Sequence, residues 1–455
     1  MFARTDRRAT TPVRELALEC LETGIEAARP ARVIEESVAI DGDRLRVRDA
    51  EYDLEAFDRV VLVGGGKAAG GMAGALADVL GDRLADGVLV GTGVDGERTV
   101  ADGAVTVRPG DHPTPAGRNV AATRDLLDVV DAADSETLVL AAITGGASAL
   151  LSAPADDLTV ESLATTTDAL LASGASIDEL NAVRKHCSAI KGGRLARRAA
   201  PATVLALAIS DVVGDDPAVI GSGPTVPDTT TYGDALDVLA RYEIADEVPT
   251  AVREHLRTGA AGEREETPSS DDPVFDRASW RCLASGRTAI DAAREVAVEA
   301  GYEPAVLSSR VRGEARAAGR FHAAVAAEVA ARGEPVEAPA VLLSGGEVTV
   351  TVRGDGTGGP NQELALAAAI ELAESGTEAT LASVDTDGID GPTDVAGAIV
   401  DAETVADDSG AAREALAHND AGTFLDERDA ALRTGYTGTN VNDLRVVVIP
   451  DDGSS

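Results

Sequence analysis

Short β-branched runs recur along the chain, each followed by glycine or polar residues and then by an Ala-rich stretch of helical period, which is βα alternation. The runs predict strands at Arg59–Val63, Gly87–Val90, Thr137–Ile143, Thr203–Ile209, Trp280–Ala284, Ala340–Leu343, Ala379–Val384 and Arg445–Ile449. Most are continuously apolar, as buried parallel strands are. Val348–Val352 (VTVTV) alternates instead and predicts an edge or hairpin strand. Helical spacing covers Thr11–Ala28, Ala68–Leu80, Gly117–Ala132, Thr159–Ala172, Ile177–Ile190, Arg287–Ala300, Gly313–Arg332 and Asn361–Glu374. The fold class is α/β, and 455 residues exceed a single core, so two domains are expected. The stretch GAAGEREETPSSDDPVFD from Gly259 combines Gly, Pro, Ser and acids without periodicity. It sets the expected division: an N-terminal domain over 1–258, an acidic linker or loop over 259–278, and a C-terminal domain over 279–455.

Composition sharpens this picture. Hydrophobic residues make up 44% but aromatics only 2%, so the core is built from Ala, Val, Leu and Ile. Acidic residues outnumber basic ones 78 to 40, for a net charge of −38, which excludes nucleic acid as a partner. Lysine occurs only at Lys67, Lys185 and Lys191; every other basic residue is arginine. Such self-repulsion is tolerable where salt shortens the Debye length from about 10 Å at 0.1 M to about 3 Å at 1 M, so the composition reads as halophilic. Cys20, Cys187 and Cys282 are widely separated, without a CxxC pair, which argues against disulfide framework and zinc site alike. No apolar run approaches the ~20 residues of a membrane span, and MFARTDRRATTPVREL resembles no signal peptide, so a soluble cytoplasmic protein is expected.

In open parallel sheets ligands bind beyond the carboxyl ends of the strands, which directs attention to five segments. They are Gly64-Gly65-Gly66-Lys67, Thr144-Gly145-Gly146-Ala147-Ser148, Ser210-Asp211, Ser344-Gly345-Gly346-Glu347 and Asp385-Thr386-Asp387-Gly388. Glycines between strand and helix let backbone amides approach an anion, or merely let the helix pack on the strand. Gly64, Gly66 and Ala69 formally match the dinucleotide pattern, but no acid ends the next strand to hold a ribose. Nor is the segment a Walker A loop. A compact ammonium can follow a migrating phosphoryl group, which is a chemical reason for a lysine-poor chain to keep Lys67. Within NAVRKHCSAIK, Asn181, Arg184, Ser188 and Lys191 fall within about 80° of one another on a helix and would present a cationic face to a carboxylate or phosphate. Asp211 is the first candidate to hold Mg²⁺ or accept a hydroxyl proton, with N-capping as the alternative. Asp387 is a second metal candidate, although the run from Asp385 to Asp394 is no EF-hand, since Ala396 stands at the closing position. His112 in GDHPTP is either a substrate contact or a loop residue.

Taken together, GGGKAAGGMA from Gly64, GDHPTP from Gly110, ITGGASALL from Ile143, LNAVRKHCSAIKGGRLA from Leu180 and ISDVVGDDPAVIGSGPTVPD from Ile209 resemble the glycerate 2-kinase family. SGGEVTV from Ser344, GTGGPNQELAL from Gly356, DTDGIDGPTDVAGA from Asp385 and TGTNVNDL from Thr437 resemble its C-terminal MOFRL domain. The resemblance implies a Rossmann-like domain and a smaller MOFRL-like α/β domain with the active site in the cleft between them. It implies ATP and glycerate as substrates, Mg²⁺ as cation and 2-phosphoglycerate as product. Lys67 and Asp211 then take the catalytic positions, and Gly64, Gly65, Gly66, Gly145, Gly146, Ser148, Gly345 and Gly346 contact nucleotide or phosphate. Arg184, Lys191, His112 and Asn361 contact substrate. Partners are small molecules, without nucleic acid or membrane, and a homodimer is allowed for. Where many members carry Arg, this chain has Pro360. Two other readings stand beside this one: an NAD(P)H-dependent hydroxypyruvate reductase using the Gly64 segment, and a non-catalytic module that binds sugar phosphates.

Overall fold

A computed structural model describes residues 1–2, 11–92, 96–156 and 158–451. Residues 3 to 10 of the opening segment read for a signal lie outside them. Among the described residues no helix is long and apolar enough to cross a membrane. The chain forms two compact units, Pro30–Leu283 and the combination of Met1–Arg29 with Ala284–Ser455.

In the Pro30–Leu283 unit the Arg59–Gly65 strand is central. Leu84–Gly91 and then Val105–Pro109 add to one side, Thr137–Thr144 and then Thr203–Ile209 to the other, all parallel. This is the strand order of a Rossmann sheet, and its winding reverses between Arg59–Gly65 and Thr137–Thr144. Arg98–Val100 closes one edge antiparallel, and Ala278–Ala284 borders Thr203–Ile209 at the other. The apolar runs are strands because both sheet faces are covered: every residue of Thr137–Thr144 is buried. A small antiparallel sheet over Val38–Asp53, unpredicted, precedes them.

In the other unit the sheet order is Glu303–Val311, Ala340–Gly346, Asp443–Ile449, Thr380–Asp385, Gly397–Val400, Ala431–Leu432. Only the first pair is parallel; the others are antiparallel. The expectation of parallel strands fails here because the C-terminal strand runs between two strands that both oppose it. Its apolar run is buried on both faces, which removes the alternation that would betray an antiparallel strand. VTVTV forms no strand: Thr349 makes a lone bridge to Glu314.

The division also falls elsewhere than expected. The helix Pro12–Ala27, opened by an N-cap Thr11 whose hydroxyl accepts from the Arg14 amide at 3.3 Å, belongs with the C-terminal residues. Gly24 is the reason for the fit: a Cβ there would lie 2.6 Å from Leu444 Cδ2 and 2.8 Å from the Ala289 carbonyl oxygen. Residues 259–278 are no linker, because they pack within the Pro30–Leu283 unit. Arg197 donates to the Glu266 carbonyl at 2.8 Å and to Asp272 at 2.9 Å, and the Asp228 amide donates to the Pro268 carbonyl at 2.9 Å.

Candidate active site

At the reversal of the Rossmann-type sheet two strand-end turns are laced together. The Lys67 amide donates to the Gly145 carbonyl at 2.7 Å and the Ala68 amide to Thr144 Oγ1 at 3.1 Å. A side chain at Gly145 would run into the Asp211 carboxylate. Gly146 takes φ +82°, and a Cβ there would sit 3.2 Å from both His112 Nε2 and Lys67 Cγ. Lys67, Asp211 and His112, delivered by three different strand ends, therefore close around one glycine turn. Lys67 and Asp211 are half-buried and His112 is exposed. Among the described residues the amides of Gly146, Ala147 and Ser148 donate to no protein acceptor, which leaves three backbone donors open beside the lysine.

Gly64, Gly65 and Gly66 serve a different purpose from the predicted phosphate contact. All three are buried, and side chains there would strike Ala142, Leu151 and Thr144. The Gly66 amide is already committed to the Val90 carbonyl at 3.0 Å. They bring the Lys67 turn flush against its neighbour.

The basic segment converges by a fold-back instead of along one helix face. The helix ends at His186, and Ser188 Oγ accepts the amides of Ile190 at 3.2 Å and Lys191 at 3.3 Å, turning the chain. Lys191 is buried and donates to the carbonyls of Ser148 at 2.7 Å and Leu151 at 3.1 Å. Burial, with Arg184 adding to it, pushes its ammonium down to about 7. Burial alone lowers Arg184 to about 10. Ser148, Arg184 and Lys191 line a cavity of about 200 Å³ together with Pro113, Thr114 and Pro115, so the segment after His112 joins them. Lys185, by contrast, is a structural lysine, paired inside the protein with Asp228 at 3.0 Å. Sequence reasoning missed the chain in which Ser148 Oγ meets Ser222 Oγ at 2.8 Å and Ser222 donates to Asn181 Oδ1 at 2.9 Å. Its one trace in the sequence is the GSGP motif.

In the other unit the predicted contacts are interior. Asn361 is 1% exposed; its amide group donates to Asp390 at 3.2 Å and Asp443 at 2.7 Å, and its oxygen accepts from Ser383. Asp390 in turn accepts the backbone amides of Asn361 and Gln362, each at 2.9 Å, which satisfies the start of the helix Pro360–Ser375. Pro360 occupies the first turn of that helix, where a missing N–H is harmless. Burial raises Asp390 to about 6. Gly345 and Gly346 are buried packing positions: a Cβ on Gly345 would lie 3.1 Å from Ile290, and one on Gly346 2.5 Å from the Val311 amide nitrogen. Asp387 is also buried, with Oδ1 accepting the Ile389 amide at 2.9 Å. Among the described residues no group of three or more His, Cys, Asp or Glu side chains could hold a metal ion.

A doubly wound unit with a lysine, an aspartate and an open glycine turn at its winding reversal, joined in one chain to a mixed-sheet unit, defines a two-unit α/β protein whose candidate site lies at the switch point of its Rossmann-type sheet. Comparison places it more narrowly. Residues 16–257 match the model of a domain of unknown function, DUF4147, and residues 340–443 match the MOFRL family. The chain is 38% identical to the glycerate 2-kinase of Pyrococcus horikoshii, with 96% of this chain and 97% of that protein aligned. It is 41% identical to a protein of Agrobacterium vitis provisionally named a hydroxypyruvate reductase, covering 86% of this chain and 99% of that one. The crystal structure of a glycerate kinase from Thermotoga maritima superposes with a TM-score of 0.82 at 39% identity, over 96% of this chain and 99% of the other. The chain belongs to the glycerate kinase family with a C-terminal MOFRL domain.

Proposed function

We propose that this protein transfers a phosphoryl group from ATP to the 2-hydroxyl of D-glycerate, giving ADP and 2-phosphoglycerate. The observation that carries the reading is the closure of Lys67, His112 and Asp211 around the Gly145–Gly146 turn, whose following amides are unclaimed by the protein. The P–O bond to the leaving ADP breaks as a new P–O bond forms to the glycerate 2-oxygen. Asp211 accepts the hydroxyl proton. Lys67 offsets charge on the phosphoryl oxygens in flight, and the amides of Gly146 to Ser148 orient them without having to reorganise. Arg184 takes the glycerate carboxylate, and Lys191 holds the Ser148 turn by its carbonyls. Asp211, whose carboxylate stands against the turn, would fit a Mg²⁺ carried on the nucleotide phosphates more than a cage built by the protein, and the ion would supply further charge neutralisation there. Cytoplasmic location and adaptation to high salt belong to the same proposal, supported by the acidic, lysine-poor composition.

The test is to incubate pure protein in molar KCl with ATP, Mg²⁺ and D-glycerate and to identify the phosphoglycerate isomer by NMR. A parallel incubation with hydroxypyruvate and NADH addresses the name of the Agrobacterium vitis relative. Appearance of 2-phosphoglycerate with no NADH oxidation is expected; NADH oxidation without phosphoglycerate would overturn the kinase reading.

A further inference from the structure

The cavity next to the glycine turn has two kinds of wall. Ser148, Arg184 and Lys191 line it, as do Leu163, Leu170, Leu171 and Val183 with Pro113 and Pro115, and the hydroxyls of Thr114, Ser152, Thr166 and Thr167 stand among them. Among the described residues the Arg184 guanidinium makes no hydrogen bond and no ion pair, although it is half-buried. That is unusual in this molecule, where acids outnumber bases about two to one and neighbouring Arg194, Arg197 and Arg198 all have partners. A desolvated cation without an anion is costly unless a ligand brings one. Asp168, the acid on the cavity lining, is exposed to solvent.

Glycerate would satisfy Arg184, but its hydroxyls leave the leucine wall unmatched. A dry cavity of about 150 Å³ lined by apolar side chains holds a molecule the size of benzene. This one is about 200 Å³. The ligand that fits both walls is an anion with a hydrocarbon tail.

We propose that this cavity binds short unbranched monocarboxylates, carboxylate on Arg184 and alkyl chain against Leu163, Leu170, Leu171 and Val183. Such acids exclude glycerate competitively while leaving the nucleotide free to bind. That competition rests on the kinase reading; the binding itself does not. Each methylene added to the acid tightens binding roughly fourfold, because burying one is worth about 0.8 kcal/mol, until about six to eight non-hydrogen atoms fill the space.

Calorimetry with acetate, butyrate, hexanoate and decanoate, in molar KCl, measures this on the intact protein without any turnover. Affinity should climb from acetate to hexanoate and fall off at decanoate. Hexan-1-ol, of the same length but uncharged, should bind at least tenfold more weakly than hexanoate. Arg184→Leu should abolish the difference between acid and alcohol. Leu171 is 60% exposed, so Leu171→Ser should keep the fold while flattening the gain per methylene. No binding of hexanoate to the wild type, or binding untouched by Arg184→Leu, overturns the proposal. A protein that phosphorylates glycerate yet ignores hexanoate loses this inference alone. One that binds hexanoate through Arg184 but makes no phosphoglycerate keeps the carboxylate site and loses the kinase reading.

Discussion

The Gly145–Gly146 turn and the knot around Asp390 are built from the same materials, glycine and carboxylate gathered at strand ends, yet they do opposite things. At the turn, Asp211 and Lys67 stay half-buried, His112 is exposed, and three successive amides have no acceptor among the described residues. At the knot, Asp390 is 1% exposed, and four donors of Asn361 and Gln362 converge on its carboxylate while Arg445 closes on Asp443. Strand-end position alone does not make a site. What separates the two is how far the carboxylate and its neighbours are satisfied from within: the Asp390 carboxylate is filled by four protein donors, whereas at the turn three successive backbone donors have no acceptor among the described residues.

Mutations break this comparison in order of size. Replacing Lys67 by Met should lower turnover by about 10³-fold while the unfolding transition is unmoved, since the side chain is positioned for transition-state charge. The readout is kcat beside a denaturant midpoint. Asp390→Ala should do the reverse: it orphans the amides at the helix start and should cost about 3 kcal/mol in urea unfolding.

The sequence marks the strands and the isolated lysine of the first region more plainly than the packing of the second. The Thr137–Thr144 run and Lys67 were legible because an unbroken apolar strand and an isolated lysine stand out in one dimension. Asn361, Gly345 and Gly346 were read as ligand contacts because nothing local distinguishes a glycine that a ligand approaches from one that Val311 or Ile290 approaches. Glu303–Val311 went unseen because Ser308, Ser309 and Arg310 interrupt its apolar pattern. VTVTV had the alternation of a strand but found no ladder partner beyond Thr349. The helix end at His186 was hidden because the stop comes from Ser188 folding back, with no glycine until Gly192. The placement of Pro12–Ala27 beside Ala289 depends on contacts across most of the chain, which spacing does not encode.

Two smaller effects sharpen the contrast. Gly145→Ala places a methyl against the Asp211 carboxylate, so kcat should fall roughly 10- to 100-fold with modest loss of stability. A variant as active as wild type would mean Asp211 is free to move aside. Lys191 gives a pH signature. The unfolded chain holds that proton up to the ordinary 10.5, the folded one only to about 7, so between these values the unfolded state binds more protons and stability rises with pH. From pH 7 to pH 8 the gain should be on the order of 1 kcal/mol, and Lys191→Met should remove it from the urea midpoints.

The most direct test of the glycine turn as the phosphoryl-transfer centre is a crystal structure with a non-hydrolysable ATP analogue and D-glycerate. The terminal phosphate should accept from the amides of Gly146 to Ser148 and from Lys67 Nζ, with the glycerate 2-hydroxyl on Asp211. A terminal phosphate bound elsewhere, with Lys67 and Asp211 touching neither ligand, would contradict it.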